Sequence, residues 1–190
     1  MTLKPRTSKE TEFIQILKSK HARYIDGMVV VDRDSTGKEY IPPGCALGQI
    51  TASGLYGPVT RDKVDTAGAD SANNTIPLQN LNTAEWDNWQ VGDEVICDPG
   101  GSGEETAVLS AIDRDTGEIQ VDGITVDHAE ETVIQKNDGT SKAALVCLEM
   151  IDVSLDDAVV GGLLHGAVYS DRMPNFDSIV VEDLPQINFE

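Results

Sequence analysis

The chain has 190 residues, 39% of them hydrophobic, with 33 acidic against 14 basic side chains and a net charge of −19. That apolar content supplies a packed core and excludes wholesale disorder, while so negative a field repels phosphate backbones and argues against a nucleic-acid partner. No stretch reaches the ~20 apolar residues of a bilayer-crossing helix, and residues 1–9 lack the apolar run of a signal peptide, so the expectation is a soluble protein made in a cytoplasm with no membrane partner.

The charge is unevenly placed. Residues 1–24 carry Lys4, Arg6, Lys9, Lys18, Lys20 and Arg23 against Glu10 and Glu12, a net +4 that leaves −23 on the remainder. A basic arm on an acidic body suggests electrostatic docking; the plainer reading is a solvated helix. Thr7 followed by Glu10 forms a capping-box pattern, with Phe13 and Leu17 four apart behind it, which predicts a short helix over residues 8–21. A helix that short is marginal in isolation, and Phe13, Ile14, Ile16 and Leu17 need either the body or a partner to cover them. The acidic excess also fits a protein that works in high salt.

From Tyr24 the pattern turns to strand. Met28-Val29-Val30-Val31 is followed by an Asp34-Ser35-Thr36-Gly37 turn. Pro42-Pro43 excludes a helix; residues 46–51 read as a short strand in which Gly48 marks a bulge or a close backbone approach. Residues 60–75 are small and polar and read as a linker. A second β unit is expected over residues 76–135, where Trp86 and Trp89 precede Val95-Ile96-Cys97. Alternating strands at 106–112 and 118–121 flank the turn Asp113-Arg114-Asp115-Thr116-Gly117, and the regular spacing suggests a small barrel. Asn137-Asp138-Gly139 marks a further boundary. Apolar runs then cover residues 143–148 and 159–169, and a weak alternation passes through Ile179-Val180-Val181.

Little in the chain points to catalysis. Cys45, Cys97 and Cys147 lie about fifty residues apart, with no zinc-knuckle or redox spacing, and read as small buried hydrophobes. His21, His128 and His165 are the only histidines; His165, flanked by glycine, fits a packed or interface role, and a dyad with Cys147 rests on composition alone. Gly100-Gly101-Ser102-Gly103 lacks the lysine of a phosphate loop, and the Asp113 turn lacks the terminal glutamate of a calcium loop. No convergent nucleophile and base emerge, so the expectation is no enzyme, no metal and no cofactor. Trp86 and Trp89 either stack a sugar or cap the core.

Two separated blocks resemble the phage lambda-type head decoration (capsid cement) family. One is Pro42-Pro43-Gly44-Cys45-Ala46-Leu47-Gly48 with Thr51-Ala52-Ser53-Gly54-Leu55-Tyr56. The other is Ala144-Leu145-Val146-Cys147-Leu148-Glu149-Met150-Ile151-Asp152-Val153, then Leu163-Leu164-His165-Gly166-Ala167-Val168, Met173-Pro174 and the closing Leu184-Pro185-Gln186-Ile187-Asn188-Phe189. They cover residues 41–60 and 143–190. The departure is the long intervening segment, where that family has a short connection. The resemblance implies a mainly β, β-tulip-like decoration fold with minor α, formed by residues 25–60 and 143–190, and an inserted small β-barrel at 76–135. It further implies a homotrimer on the outer capsid surface of a virion, synthesised in the host cytoplasm, with the major capsid protein as partner. Residues 1–24 are then the docking arm, with Lys4, Arg6, Lys9, Phe13, Ile16, Leu17 and Arg23 as capsid-binding residues. Leu47, Tyr56, His165 and Met173 are expected at the trimer interface. The competing expectation is a carbohydrate- or receptor-binding virion module that uses the inserted β domain.

Overall fold

The computed structural model describes residues 16–18, 22–84 and 86–190. Its architecture is mainly β, a closed five-stranded barrel joined to a curled half-barrel sheet, with little helix. The strands in chain order are β1 (Arg23–Val31), β2 (Tyr40–Ile41), β3 (Ala46–Gln49), β4 (Tyr56–Pro58), β5 (Arg61–Lys63), β6 (Thr75–Pro77) and β7 (Glu94–Cys97). They continue with β8 (Glu105–Asp113), β9 (Glu118–Asp122), β10 (Val133–Lys136), β11 (Ala143–Cys147), β12 (Ile151–Asp152), β13 (Ala158–Val168) and β14 (Ile187–Phe189). Among the described residues one α-helix, α1 (Ser178–Asp183), precedes β14.

The closed barrel is a ring. β1, β4, β3, β11 and β13 follow one another, and β13 pairs back onto β1, while β14 adds to β13 in parallel. The ring is drawn from both ends of the sequence: β3 meets β11 through Leu47↔Leu145 and Ala46↔Val146. Its start is set by chemistry visible in the sequence. Pro43 and Gly44 occupy the centre of a tight turn, Cys45 N donating to Pro42 O at 3.4 Å, and Gly44 takes φ +84°, which glycine adopts without the Cβ penalty. Gly44 N donates to Cys147 O and Cys147 N to Cys45 O, the pattern of a glycine bulge in which two residues oppose one. Gly48 is the close approach expected of it: a Cβ there would run into the carbonyls of Thr140 and Lys142.

Because side chains alternate across a strand, the ring has two packed faces. Leu145 and Cys147 join Val29, Val31, Ile41, Cys45, Leu47 and Ile151 in an interior core. Val146, between them, faces outward into a second core with Leu163, Val168, Val180, Leu184 and Ile187. A five-stranded ring is too narrow to hold a helix, so α1 and the C-terminal strand cover it from outside. The sequence reads residues 179–181 as strand; they are helical because Asp177 caps the helix, its side chain accepting from Val180 N at 2.8 Å, which satisfies an orphan donor at the first turn.

The second sheet runs β5-β10-β7-β8-β9-β6 and encloses its own core of Val64, Ile76, Leu78, Trp89, Val95, Leu109, Ile119, Ile134 and neighbours. Its hairpin β8–β9 alternates buried and exposed residues, as the sequence predicts. Residues 60–75 correct the expectation of a linker: β5 and β6 are the end strands of this sheet. They are stitched by Val64↔Leu78 and by Gln79 N donating to Lys63 O at 3.0 Å. The closed ring thus lies in the outer unit, and the inserted unit is the curled half-barrel.

The expected helix over residues 8–21 fails where it can be seen. Residues 16–18 are extended, Leu17 bridging Val168, with Tyr169 N donating to Ile16 O and Lys18 N to Ala167 O. The rest of that helix lies outside the described residues.

Candidate functional site

The two units meet in a polar seam with an open cleft of about 620 Å³ beside it, the size of a small-molecule pocket, lined among others by Tyr40, Pro43, Asn80, Trp86, Asp87, Arg172 and Phe176. Arg61 is the seam's principal tie. Its side chain is only 3% exposed. The guanidinium grips Asp177 in two places (2.6 and 2.9 Å), reaches Asp183 at 3.1 Å and donates to Ser141 O. Asp177 at once caps α1 and holds the inserted unit, while Asp183 also accepts from Ala143 N at 2.9 Å. A second tie is the Ser35 carbonyl, which accepts from Asn88 at 3.0 Å, Gln90 at 3.3 Å and the buried Lys136 ammonium at 3.4 Å. Lys136 also pairs with Asp93 at 2.9 Å.

Trp86 adds an apolar tie. It lies in the inserted segment of the sequence, yet its ring is buried in the interior core of the ring, and its indole N–H has no acceptor. Trp89 is buried in the half-barrel's own core. Both rings are largely buried, and both edge the cleft.

The titratable groups of the seam are held by neighbours. Burial pushes the Asp62 carboxyl up, although Lys63 N and both donors of Asn80 bond to it. Burial acts the same way on Asp87, but Arg114, Lys38 and Trp89 N together outweigh it and hold that carboxyl below its usual range. Desolvation pushes the Cys147 thiol up to about 12, where the reactive thiolate is scarce, and the thiol donates to Pro42 O at 3.2 Å. Cys147 is in the ring's interior while His165 is exposed on β13, so the structure does not bring the two into a dyad. Among the described residues no cluster of ligands suits a metal ion. Asp113 serves as a turn carboxylate, accepting from Asp115 N and Thr116 N.

The expected binding residues separate sharply. Lys4, Arg6, Lys9 and Phe13 lie outside the described residues. Ile16 is 3% exposed and belongs to the outer core, and Leu17 packs against the same cluster; both are anchored to the body instead of being presented to a partner. Arg23 is exposed, opposite His165 on the β1–β13 pair. Of the expected trimer contacts, Leu47 is fully buried inside the ring and Met173 is buried in the outer core, so both are corrected to packing residues. Tyr56 is half-buried against the interior core, and only His165 is exposed.

Sequence reading misses Arg61 and Asp177. Its one available signal was Asp177 before a β-branched run, a helix start. Compared with known proteins, the chain matches no family model, no curated protein and no solved structure.

Proposed function

We propose that this chain is a capsid decoration protein, which binds the outer surface of a viral head as a homotrimer, with the major capsid protein as its partner, and stabilises the shell without catalysis. The observation that carries the reading is the pairing of the two sequence blocks that resemble the lambda-type decoration family: about eighty residues apart, they meet as β3 and β11 in one ring. The insertion leaves that ring intact, since its two ends leave and return side by side, Lys136 N donating to Thr60 O at 3.0 Å.

The physics suits a cement protein. Each contact with the shell can be weak, because three per trimer act together. Lys4, Arg6, Lys9 and Arg23 supply cations on a chain of −19, and Ile16 and Leu17 fasten the root of the basic arm to the body, so that a pull on the arm is a pull on the ring. The protein is made in the host cytoplasm and reaches the virion surface by assembly. The test is pelleting: the purified chain is expected to sediment with expanded heads, and replacement of Lys4, Arg6 and Lys9 by Glu is expected to weaken this severalfold. A chain that stays in the supernatant at saturating heads refutes the proposal.

A further inference from the structure

The cleft beside the seam is lined by two kinds of chemistry. The outer unit brings Tyr40, Pro43 and Phe176 to it, and the inserted unit brings Asn80 and Thr83. Tyr40 is 50% exposed and Phe176 37%, so two aromatic rings that would bury apolar area on a ligand stand partly in water. Phe176 is steadied by Phe189, the ring centroids 5.4 Å apart. Asn80 and Thr83 are exposed, and Asn80 is held in place by Asp62, to which its N–H donates at 3.0 Å and its side-chain amide at 2.8 Å. Trp86 lines the cleft as well. It is 8% exposed, and its indole N–H has no acceptor. A buried donor left without a partner is costly, and a ligand oxygen is the partner that this one lacks.

The charged groups of the lining are spent on neighbours. Arg61 is taken by Asp177, Lys63 by Glu131 and Asp87 by Arg114, while the Asp62 carboxyl accepts from Lys63 N and from Asn80. The two that remain, Asp171 and Arg172, are adjacent and of opposite sign. An ionic ligand therefore meets no concentration of the opposite charge. A neutral ligand with hydroxyl groups and apolar C–H faces meets both things it needs, in a volume of about 620 Å³ that suits a small molecule. We infer that the cleft binds a neutral saccharide. Tyr40 and Phe176 are its apolar contacts, Asn80 and Thr83 bond its hydroxyls, and one of its oxygens accepts from the Trp86 indole N–H. This site is a second function, separate from attachment to a shell, and a chain that fails to sediment with heads leaves it standing.

The full chain is screened on a printed array of neutral and acidic oligosaccharides, and the neutral one held best is titrated in solution to about 10 mM, which registers millimolar affinity. Trp86 and Trp89 are the only tryptophans of the chain and both line the cleft, so binding is expected to shift the tryptophan emission. Tyr40→Ala and Phe176→Ala, exposed changes outside the cores, are each expected to weaken binding about fivefold or more through lost stacking. Trp86→Phe, which keeps an aromatic ring in the core and removes the N–H, is expected to weaken it about threefold to tenfold. Circular dichroism checks that each variant folds. An array with no neutral binder, or with acidic binders alone, overturns the inference. So does binding that leaves the tryptophan emission unchanged, or that Tyr40→Ala and Phe176→Ala both retain at wild-type affinity.

Discussion

The ring and the half-barrel are both small β units, but they hold themselves together by different means. The ring is closed by strands from distant parts of the chain and packs apolar side chains on both its faces, so its stability is spread over two cores. The half-barrel is one continuous stretch with a single core, and its loops are fastened by carboxylates. Glu105 is the clearest case, accepting from Thr125 N, Thr125 Oγ1, Val126 N and His128 Nε2. Between them the seam uses both devices, Trp86 as an apolar peg and Arg61 as a charged one. Packing losses should therefore dominate in the ring and hydrogen-bond losses in the half-barrel, with the seam sensitive to either.

The largest effects are expected at the seam. Trp86→Ala empties a site in the ring's core and should cost about 3–5 kcal/mol, read by urea unfolding, although the residue belongs in sequence to the other unit. Arg61→Ala strands Asp177 and Asp183 with little water to solvate them, and breaking a buried pair in this way costs about 3–5 kcal/mol. Hydrogen exchange should then show α1 and β5 opening together. If either substitution destabilises only the half-barrel, the seam does not couple the units.

Somewhat smaller is the effect of Ile16→Ala, about 2–4 kcal/mol of lost packing in the ring's outer layer. It sharpens a boundary as well. Removing residues 1–15 should leave the ring's stability nearly unchanged, whereas removing 1–24 deletes Ile16, Leu17 and the first residues of β1 and should destabilise it. Equal melting temperatures for the two truncations would mean that residues 16–18 are not anchored.

Smallest is Glu105→Gln, about 1–3 kcal/mol, since it weakens bonds to a charged group. Burial acts to raise the Glu105 carboxyl, but its four donors together lower it. A carboxyl depressed on folding stabilises the fold fully above its unfolded value of about 4.3, and that contribution is lost as the pH falls through the lower folded value. The gap in melting temperature between wild type and Glu105→Gln should therefore be widest near neutrality and close below about pH 4. A gap independent of pH contradicts the carboxylate's role.

What could be read in the sequence follows the same division. The turn at Pro42-Pro43-Gly44 and the β8–β9 hairpin are set by local chemistry, and both were legible. β5 was not, because its inward residue is Asp62, flanked by Arg61 and Lys63; a strand whose buried position is charged carries no hydrophobic alternation. Trp86 looked like a core residue, as it is, but which unit's core it enters is a tertiary fact. The resemblance implies an interface for Leu47 and Met173, which are buried, and nothing local distinguishes a core-facing apolar residue from an interface one. The capping box and spacing predict a helix for the arm, yet residues 16–18 are extended because β13 offers them backbone partners that outweigh local preference.

The central claim is that the ring is a capsid-binding body, and imaging tests it most directly. Expanded heads without this protein are incubated with the purified chain and reconstructed beside untreated heads. The account predicts new density on the outer surface at the three-fold and quasi-three-fold positions, with the ring against the shell. Heads that gain no density at saturating protein, or that gain it only at two-fold positions, would contradict it.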